Sequence, residues 1–445
     1  MIQAISGRCL APALAVLLCL AGVAARAGVD IQEVESPAGV STWLVEDHTL
    51  PFVALELRFR GGASLDQPDK RGAVNLMTGL LEEGAADMDA RAFARASDEI
   101  GAEFNYDTGR DAVSVSARFL SETRDRATQL LRASIVEPRF APAAIERVRA
   151  QVLSVIRSNL KDPDKIARNT LSKMIYGSHP YGSSKLGTIE SVTALTRDDI
   201  LAAHRAVFAR DRVYVSAVGD ITPDQLSKLV DDLLGTLPAK GTPLPERATL
   251  NLPGGVRVVD FDTPQSTALF AQPGISRDDP DFFAAYVLNH IIGGGTFSSR
   301  LMTEVREKRG LTYGVYSYLA NHDDADVWIG SVASANDRIA KAIKVIRAQW
   351  SRVRAEGVTQ AELDAAKTYL TGAYPLRFDG NGPIANILAG MQMRKMPRDY
   401  IARRNDLIEA VTLADVNRVA KRLMAPEKLT FVVVGRPDGI ATSTN

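Results

Sequence analysis

Thr196-Arg197-Asp198-Asp199-Ile200 opens an amphipathic stretch that runs into Arg212-Val213-Tyr214-Val215-Ser216-Ala217-Val218-Gly219, and Thr412-Leu413-Ala414-Asp415-Val416 opens another that runs into Lys428-Leu429-Thr430-Phe431-Val432-Val433-Val434-Gly435. From the first Thr to the last Gly the two stretches keep a constant offset of 216 residues without a gap. Each begins on a Thr with Asp three residues later, which resembles a capping box at a helix start. Each ends in β-branched residues stopped by Gly, as a buried strand does. A constant offset over 24 positions points to an internal duplication, and so to two similar domains.

The Pro- and Gly-rich segment Leu237-Pro238-Ala239-Lys240-Gly241-Thr242-Pro243-Leu244-Pro245 follows the first copy and reads as a linker. The expected organisation is a first domain over 28–237, a linker over 238–253 and a second domain over 254–445. In the first domain, 41–45 and 52–60 read as strands and 72–83 and 91–100 as helices. Val113, Val115, Ala117 and Phe119 alternate with polar neighbours, which marks a half-buried strand. A long helix from Pro142 carries Ile145, Val148, Val152, Ile156 and Leu160 on one face. The second domain repeats the order, with strands near 267–271, 313–319 and 327–333 and a helix over 282–292. The expected fold class is α+β, each domain a mostly antiparallel sheet with helices packed on one face.

The chain has 445 residues, which suits two or three domains at ~100–200 residues each. Basic and acidic residues are equal at 53 each, so no basic surplus argues for a nucleic-acid partner. Residues 1–27 read as a signal peptide: Arg8 is the positive n-region, Leu10 to Ala25 is apolar, and Ala25-Arg26-Ala27 is a small-x-small cleavage site. The apolar run is shorter than the ~20 residues of a spanning helix, which disfavours a membrane anchor. The expected location is therefore periplasmic or otherwise exported. Both cysteines, Cys9 and Cys19, fall inside the leader, so the chain beyond it has no disulfide and no thiolate chemistry. No later stretch is long and apolar enough to span a membrane.

A catalytic zinc site commonly uses two His at i, i+4 on one helix. None of the five histidines, His48, His179, His204, His290 and His322, is spaced so. His204 and His290 read as structural residues on helices, His48 and His322 as solvated loop residues. Gly293-Gly294-Gly295 lacks the Gly-Lys-Ser/Thr of a phosphate loop and reads as a helix C-cap or hinge. Arg306 lies near the end of a helix that Gly310 breaks, and Tyr313 is read as the start of the next strand. Two donors flanking one helix–strand turn have the chemistry to converge on a single oxygen.

Gly294 to Leu301 together with Glu304-Val305-Arg306-Glu307-Lys308-Arg309-Gly310-Leu311-Thr312-Tyr313 resembles the C-terminal-half signature of the pitrilysin/insulinase zinc peptidases. His179-Pro180-Tyr181-Gly182 with Leu186-Gly187-Thr188 is similar to a second family segment. Gly101-Ala102-Glu103 with Asn105, Thr108, Arg110 and Asp111 is similar to a third. The resemblance runs in order over the chain beyond the leader, and the length matches the short-subunit branch that includes mitochondrial and bacterial processing peptidases. It implies that each chain forms half of a clamshell chamber. It also implies an inverted zinc motif, His-x-x-Glu-His, on the first domain's early helix. The matching positions are Asn75-Leu76-Met77-Thr78-Gly79, so Asn75, Thr78 and Gly79 replace both histidines and the general base. The family's third ligand, a later glutamate, falls on Leu153-Ser154-Val155-Ile156, which holds no carboxylate. Glu82 and Glu83 lie past the motif and read as a solvated helix end.

By the same resemblance, Arg306 and Tyr313 hold the substrate carbonyl and its developing oxyanion opposite the zinc. The leading expectation is a non-catalytic subunit of a heterodimeric zinc metallopeptidase. It has no cofactor of its own, is inactive alone, and lends Arg306 and Tyr313 to the site of a homologous zinc-bearing partner acting on a peptide or unfolded polypeptide. The competing expectation is a peptide-binding or scaffold protein, homodimers included, with no proteolytic role. A third, a hydrolase using other residues, requires stoichiometric zinc in the isolated chain.

Overall fold

The computed structural model describes residues 30–295 and 297–443; the expected signal peptide, 1–27, lies outside the described residues. The first half runs β1 (Gln32–Glu35), β2 (Ser41–Glu46), β3 (Phe52–Arg60), α1 (Ala73–Thr78), the short pair β4 (Gly84–Ala85) and β5 (Met88–Asp89), α2 (Ala90–Glu99), β6 (Glu103–Thr108) and β7 (Ala112–Leu120). It continues through α3 (Arg124–Val136), α4 (Pro142–Asn159), α5 (Pro163–Tyr176), α6 (Ile189–Ala194), α7 (Arg197–Val207), β8 (Val213–Gly219) and α8 (Pro223–Leu234). The second half runs β9 (Gly255–Asp260), β10 (Gln265–Pro273), α9 (Phe282–Gly293), β11 (Val315–Asn321), β12 (Asp326–Ala335), α10 (Ile339–Glu356), α11 (Gln360–Gly372), α12 (Asn381–Met393), α13 (Tyr400–Glu409), α14 (Leu413–Leu423) and β13 (Thr430–Gly435). Residues 238–254, between the halves, carry no helix or strand.

The two sheets share one topology. The first has the order β1-β2-β8-β3-β7-β6, the second β11-β12-β10-β13-β9. In each, the strand that closes the repeat is an interior strand: β8 pairs parallel with β2 and antiparallel with β3, and β13 pairs parallel with β9 and antiparallel with β10. Helices α7 and α14 keep the 216-residue offset at both ends. Their caps are reciprocal, Thr196 with Asp199 and Thr412 with Asp415, with backbone-to-side-chain distances of 2.8 to 3.2 Å. Gly219 and Gly435 end β8 and β13 at φ 134° and 145°, backbone that other residues rarely adopt. A Cβ on Gly219 would stand 2.2 Å from the Phe52 carbonyl oxygen, and one on Gly435 2.3 Å from Ser266 Oγ. The Gly that stops each strand in the sequence is thus required twice over, by conformation and by space.

Alternation along β3 and β10 decides what each sheet face buries. Val53, Leu55, Leu57 and Phe59 join Leu76, Leu131, Val148, Ile200 and Leu226 of the first half's own helices. Ala268 and Phe270 join Leu288, Ile346, Trp350 and Val419 of the second half's. The opposite faces are covered by an exchange between halves. Helix α5 sets Ala167, Leu171 and Ile175 against Leu269, Ala271, Val432 and Val434 of the second sheet. Helix α12 sets Ala385, Leu388 and Met391 against Trp43, Ala54 and Val218 of the first. Polar contacts pin α12 there: Ser216 Oγ donates to the Ala385 carbonyl and Gln392 Nε2 to the Val215 carbonyl, both at 2.6 Å. Displaced by 216 residues, α5 falls on α12, so the exchange is part of the duplication. Helices on one face describe each domain's own packing, and the other face belongs to its twin. Among the described residues no helix is long and apolar enough to cross a membrane.

Candidate functional site

Helix α1 spans only Ala73–Thr78, six residues, where the sequence predicts a helix to Glu83. From Leu80 the amides turn back three residues, Leu80 to Met77 and Leu81 to Thr78, so the chain leaves the α-helix at Gly79. Glycine is a poor helix interior residue, and the Thr78 hydroxyl donates to the Val74 carbonyl at 2.8 Å. Thr78 is buried and its oxygen is occupied, and Gly79 brings no side chain. A Cβ at Gly79 would lie 3.2 Å from Val148 Cγ1 on α4, tighter than ordinary contact. Along α4 the inward positions are Val148, Val152 and Ile156, while Ser154 and Val155 are exposed. One amide, one spent hydroxyl and an apolar wall do not fit a zinc ion, which takes imidazole, thiolate or carboxylate ligands. Among the described residues no three His, Cys, Asp or Glu side chains are placed to hold a metal. Beyond the helix Glu82 is exposed as expected, whereas Glu83 is not simply solvated: it is half-buried and pairs with Arg147.

Arg306 sits in a π-helical turn, Met302–Glu307, closed by the Lys308 amide bonding the Thr303 carbonyl at 3.0 Å. Such turns are rare and concentrate at functional sites. Gly310, at φ 58°, returns its amide to the Arg306 carbonyl at 2.8 Å and ends the helix. Of the two acids in the turn, Glu304 is taken by Lys308 at 2.7 Å and Arg309 at 2.6 Å, which hold its carboxyl below the usual range. Arg306 is left with no carboxylate partner among the described residues, and its guanidinium lies over the Phe297 ring at 4.6 Å. Tyr313 is 90% exposed. It lies in the loop before β11 rather than on the strand, which starts at Val315. The Thr312 hydroxyl ties this loop to the Ala333 carbonyl at 2.6 Å. No hydrogen bond joins Arg306 to Tyr313 among the described residues; the two donors stand on either side of Gly310, both accessible. The glycine-rich loop caps α9, the Gly294 amide donating to the His290 carbonyl at 3.2 Å.

The stretch before Arg306 is anchored by a two-pronged pair. Arg300 donates from Nε to Glu362 Oε1 at 2.5 Å and from Nη2 to Oε2 at 2.7 Å. Burial raises the Glu362 pKa, but the bonds from Arg300 and Thr359 outweigh it and hold the group at about 2. A carboxylate with a depressed folded-state pKa stabilises the fold above its unfolded pKa, and that contribution is lost as pH falls toward the folded value. Glu362→Gln therefore destabilises the protein at pH 7, and the gap to wild type narrows as pH drops from 4.5 toward 2. Urea unfolding of both proteins across that range checks this.

Two motif segments that lie far apart in the chain meet the loop of His322, Asp323 and Asp324 between the halves. The buried Tyr181 hydroxyl donates to Asp111 and accepts from the Asp324 amide at 3.0 Å. The Asp323 amide donates to Asp111 Oδ2 at 3.3 Å, and His322 Nδ1 stands 3.5 Å from the same oxygen. Arg110 lies over the rings of Tyr181 and Tyr176. Burial pushes the Asp111 carboxyl up, and the bonds from His322 and Tyr181 more than reverse it. His322 is thus not a solvated loop residue: it is half-buried in this latch. His48 is exposed and pairs with Asp220 at 2.6 Å. His204 and His290 pack structurally, one bonded to the Ile135 carbonyl at 2.7 Å, the other stacked on Tyr369. Asp111, Tyr181 and His322 were visible in the sequence; their meeting needed the fold.

Residues 42–189 match the family described as Insulinase (Peptidase family M16), and residues 194–370 match Peptidase M16 inactive domain. The non-peptidase homolog YmxG of Helicobacter pylori is 28% identical over 391 residues, 87% of this chain and 90% of that protein. The probable mitochondrial-processing peptidase subunit beta of Schizosaccharomyces pombe is 26% identical over 398 residues, 85% of each. A solved structure titled peptidase M16 inactive domain, from Pseudomonas fluorescens, superposes with a TM-score of 0.86 at 28% identity, covering 94% of this chain and all of that one. With the family's two domain models matched in order along one chain and a non-peptidase homolog and an inactive-domain structure among its relatives, the chain belongs to the M16 peptidase family as a short-subunit, non-catalytic member.

Proposed function

We propose that this chain is the non-catalytic subunit of a heterodimeric zinc metallopeptidase. A homologous partner supplies zinc and general base, and this chain supplies Arg306 and Tyr313 to the scissile peptide carbonyl. The observation that carries the reading is the contrast between the two halves. The positions that the resemblance gives to the zinc ligands offer one amide, a hydroxyl already bonded to the Val74 carbonyl and no carboxylate, while Arg306 and Tyr313 stay accessible and Arg306 makes no ion pair among the described residues. Donors fixed in place and aimed at a developing oxyanion stabilise it without reorganising. In the partner's site the Arg306 guanidinium would donate charge-assisted bonds to the carbonyl oxygen and the Tyr313 hydroxyl one more. Zinc in the partner would polarise the carbonyl or lower a water's pKa. The reading of residues 1–27 as a signal peptide supports a periplasmic or otherwise exported setting for this work.

The test is peptidase activity of this chain mixed with a zinc-bearing homologue from the same organism. A gain over the homologue alone supports the subunit. Co-purification without any gain, together with peptide binding by this chain that survives chelation, is what a scaffold would give.

A further inference from the structure

A cleft of about 630 Å³ lies where β3 of the first half meets α9, α12 and α13 of the second. Arg58, Arg277, Arg377, Arg394 and Arg404 line it, and no Asp or Glu does. Of the five, only Arg58 stands within ion-pair distance of a carboxylate among the described residues, with Nε 3.6 Å from Glu56. That carboxylate is itself buried, and burial raises its pKa. Arg58 Nε has no hydrogen-bond partner although it is buried. The volume falls in the range of small-molecule sites, roughly 300–1,000 Å³.

The arginines are also held in place. Arg277 lies over Phe282 at 4.9 Å and Tyr400 at 5.4 Å, and donates to the Tyr400 hydroxyl at 2.7 Å. Arg404, buried, lies over Tyr374 at 4.4 Å and Tyr286 at 5.7 Å and bonds the Leu370 carbonyl at 2.6 Å. A guanidinium whose face rests on a ring keeps its N–H edge for a ligand, and little entropy is lost when it binds. Arg394 is open to solvent yet enclosed by the walls; burial, then the charges of Arg277 and Arg58, lower its pKa, with Asp323 and Asp111 acting more weakly against them. Five like charges crowd here with one carboxylate, Glu56, at ion-pair distance, and a bound anion would relieve the remaining repulsion.

We propose that this cleft binds a compact multivalent phosphate anion of the inorganic pyrophosphate class. A phosphate's oxygens accept forked bonds from several guanidiniums at once, which suits rigid donors arrayed around one cavity. The inference needs no partner subunit and stands apart from the peptidase reading. The experiment is calorimetric titration of the purified chain with sodium pyrophosphate, with citrate and with sodium chloride at matched ionic strength. Pyrophosphate is expected to bind saturably, one per chain, and more weakly as salt rises. The double variant Arg377→Gln/Arg394→Gln is expected to weaken it at least tenfold with unchanged circular dichroism and unliganded unfolding midpoint. If that variant misfolds, Arg377→Gln alone, at an exposed position, is expected to weaken it measurably. Absence of saturable binding, tighter binding of citrate, or affinity unchanged in the variants overturns the proposal.

Discussion

Arg306→Ala is expected to lower the turnover of the mixed enzyme by about 10²–10³-fold, the loss of about 3–4 kcal/mol that follows removal of one oxyanion donor. The loss falls on kcat more than on KM, because the bond strengthens as charge develops on the carbonyl oxygen. The folded chain should be unaffected. Arg306 makes no ion pair among the described residues, and its aromatic contact is with Phe297, itself 66% exposed. Size-exclusion chromatography and unfolding of the variant separate this from a packing defect. Equal turnover of variant and wild-type mixtures would remove Arg306 from the mechanism.

Residues 28–237 expressed alone are expected not to form a stable monomer, although they contain a complete six-stranded sheet. Helix α5 would expose the face that now covers the second sheet, and the first sheet would lose α12. Leu171, Ile175 and Tyr181 leave water almost completely in the whole chain. At roughly 1.5–3 kcal/mol per fully buried large apolar side chain, Leu171 and Ile175 together rival a large part of a typical net stability of about 5–15 kcal/mol. Adding residues 254–445 in trans should recover a soluble complex. Light scattering and circular dichroism of each half and of the pair decide it, and a monodisperse, cooperatively folded first half would contradict the interlock.

The duplication was legible because it is written in local chemistry. Thr and Asp at a cap, β-branched strand residues and a positive-φ Gly mark the same turn twice. One strand's borders were legible for the same reason, 52–60 matching β3 at both ends, whereas β11 starts two residues after the expected 313. Helix α1 was read too long because Val74, Leu76, Met77 and Leu80 keep an apolar pattern through Gly79, where the backbone has already left the helix. The crossing of α5 and α12 was not legible. Ala167, Leu171 and Ile175 announce an apolar face, but periodicity says nothing about which sheet receives it. The latch was hidden because Asp111 and Tyr181 are local motif letters and His322 a loop residue, and their partners lie 70 and more residues away. At the candidate site, residue types alone carry the expectation that the zinc ligands are lost and that Arg306 and Tyr313 are kept. The π-helical turn and the sequestration of Glu304 depend on the folded backbone and leave no mark in residue type.

One measurement bears most directly on the account: peptide hydrolysis by this chain alone, by its zinc-bearing homologue alone, and by an equimolar mixture, with zinc counted in each. The account predicts no activity and no stoichiometric zinc in this chain alone, and a mixture at least tenfold faster than the homologue. Activity with bound zinc in this chain alone, or a mixture no faster than the homologue, would contradict it.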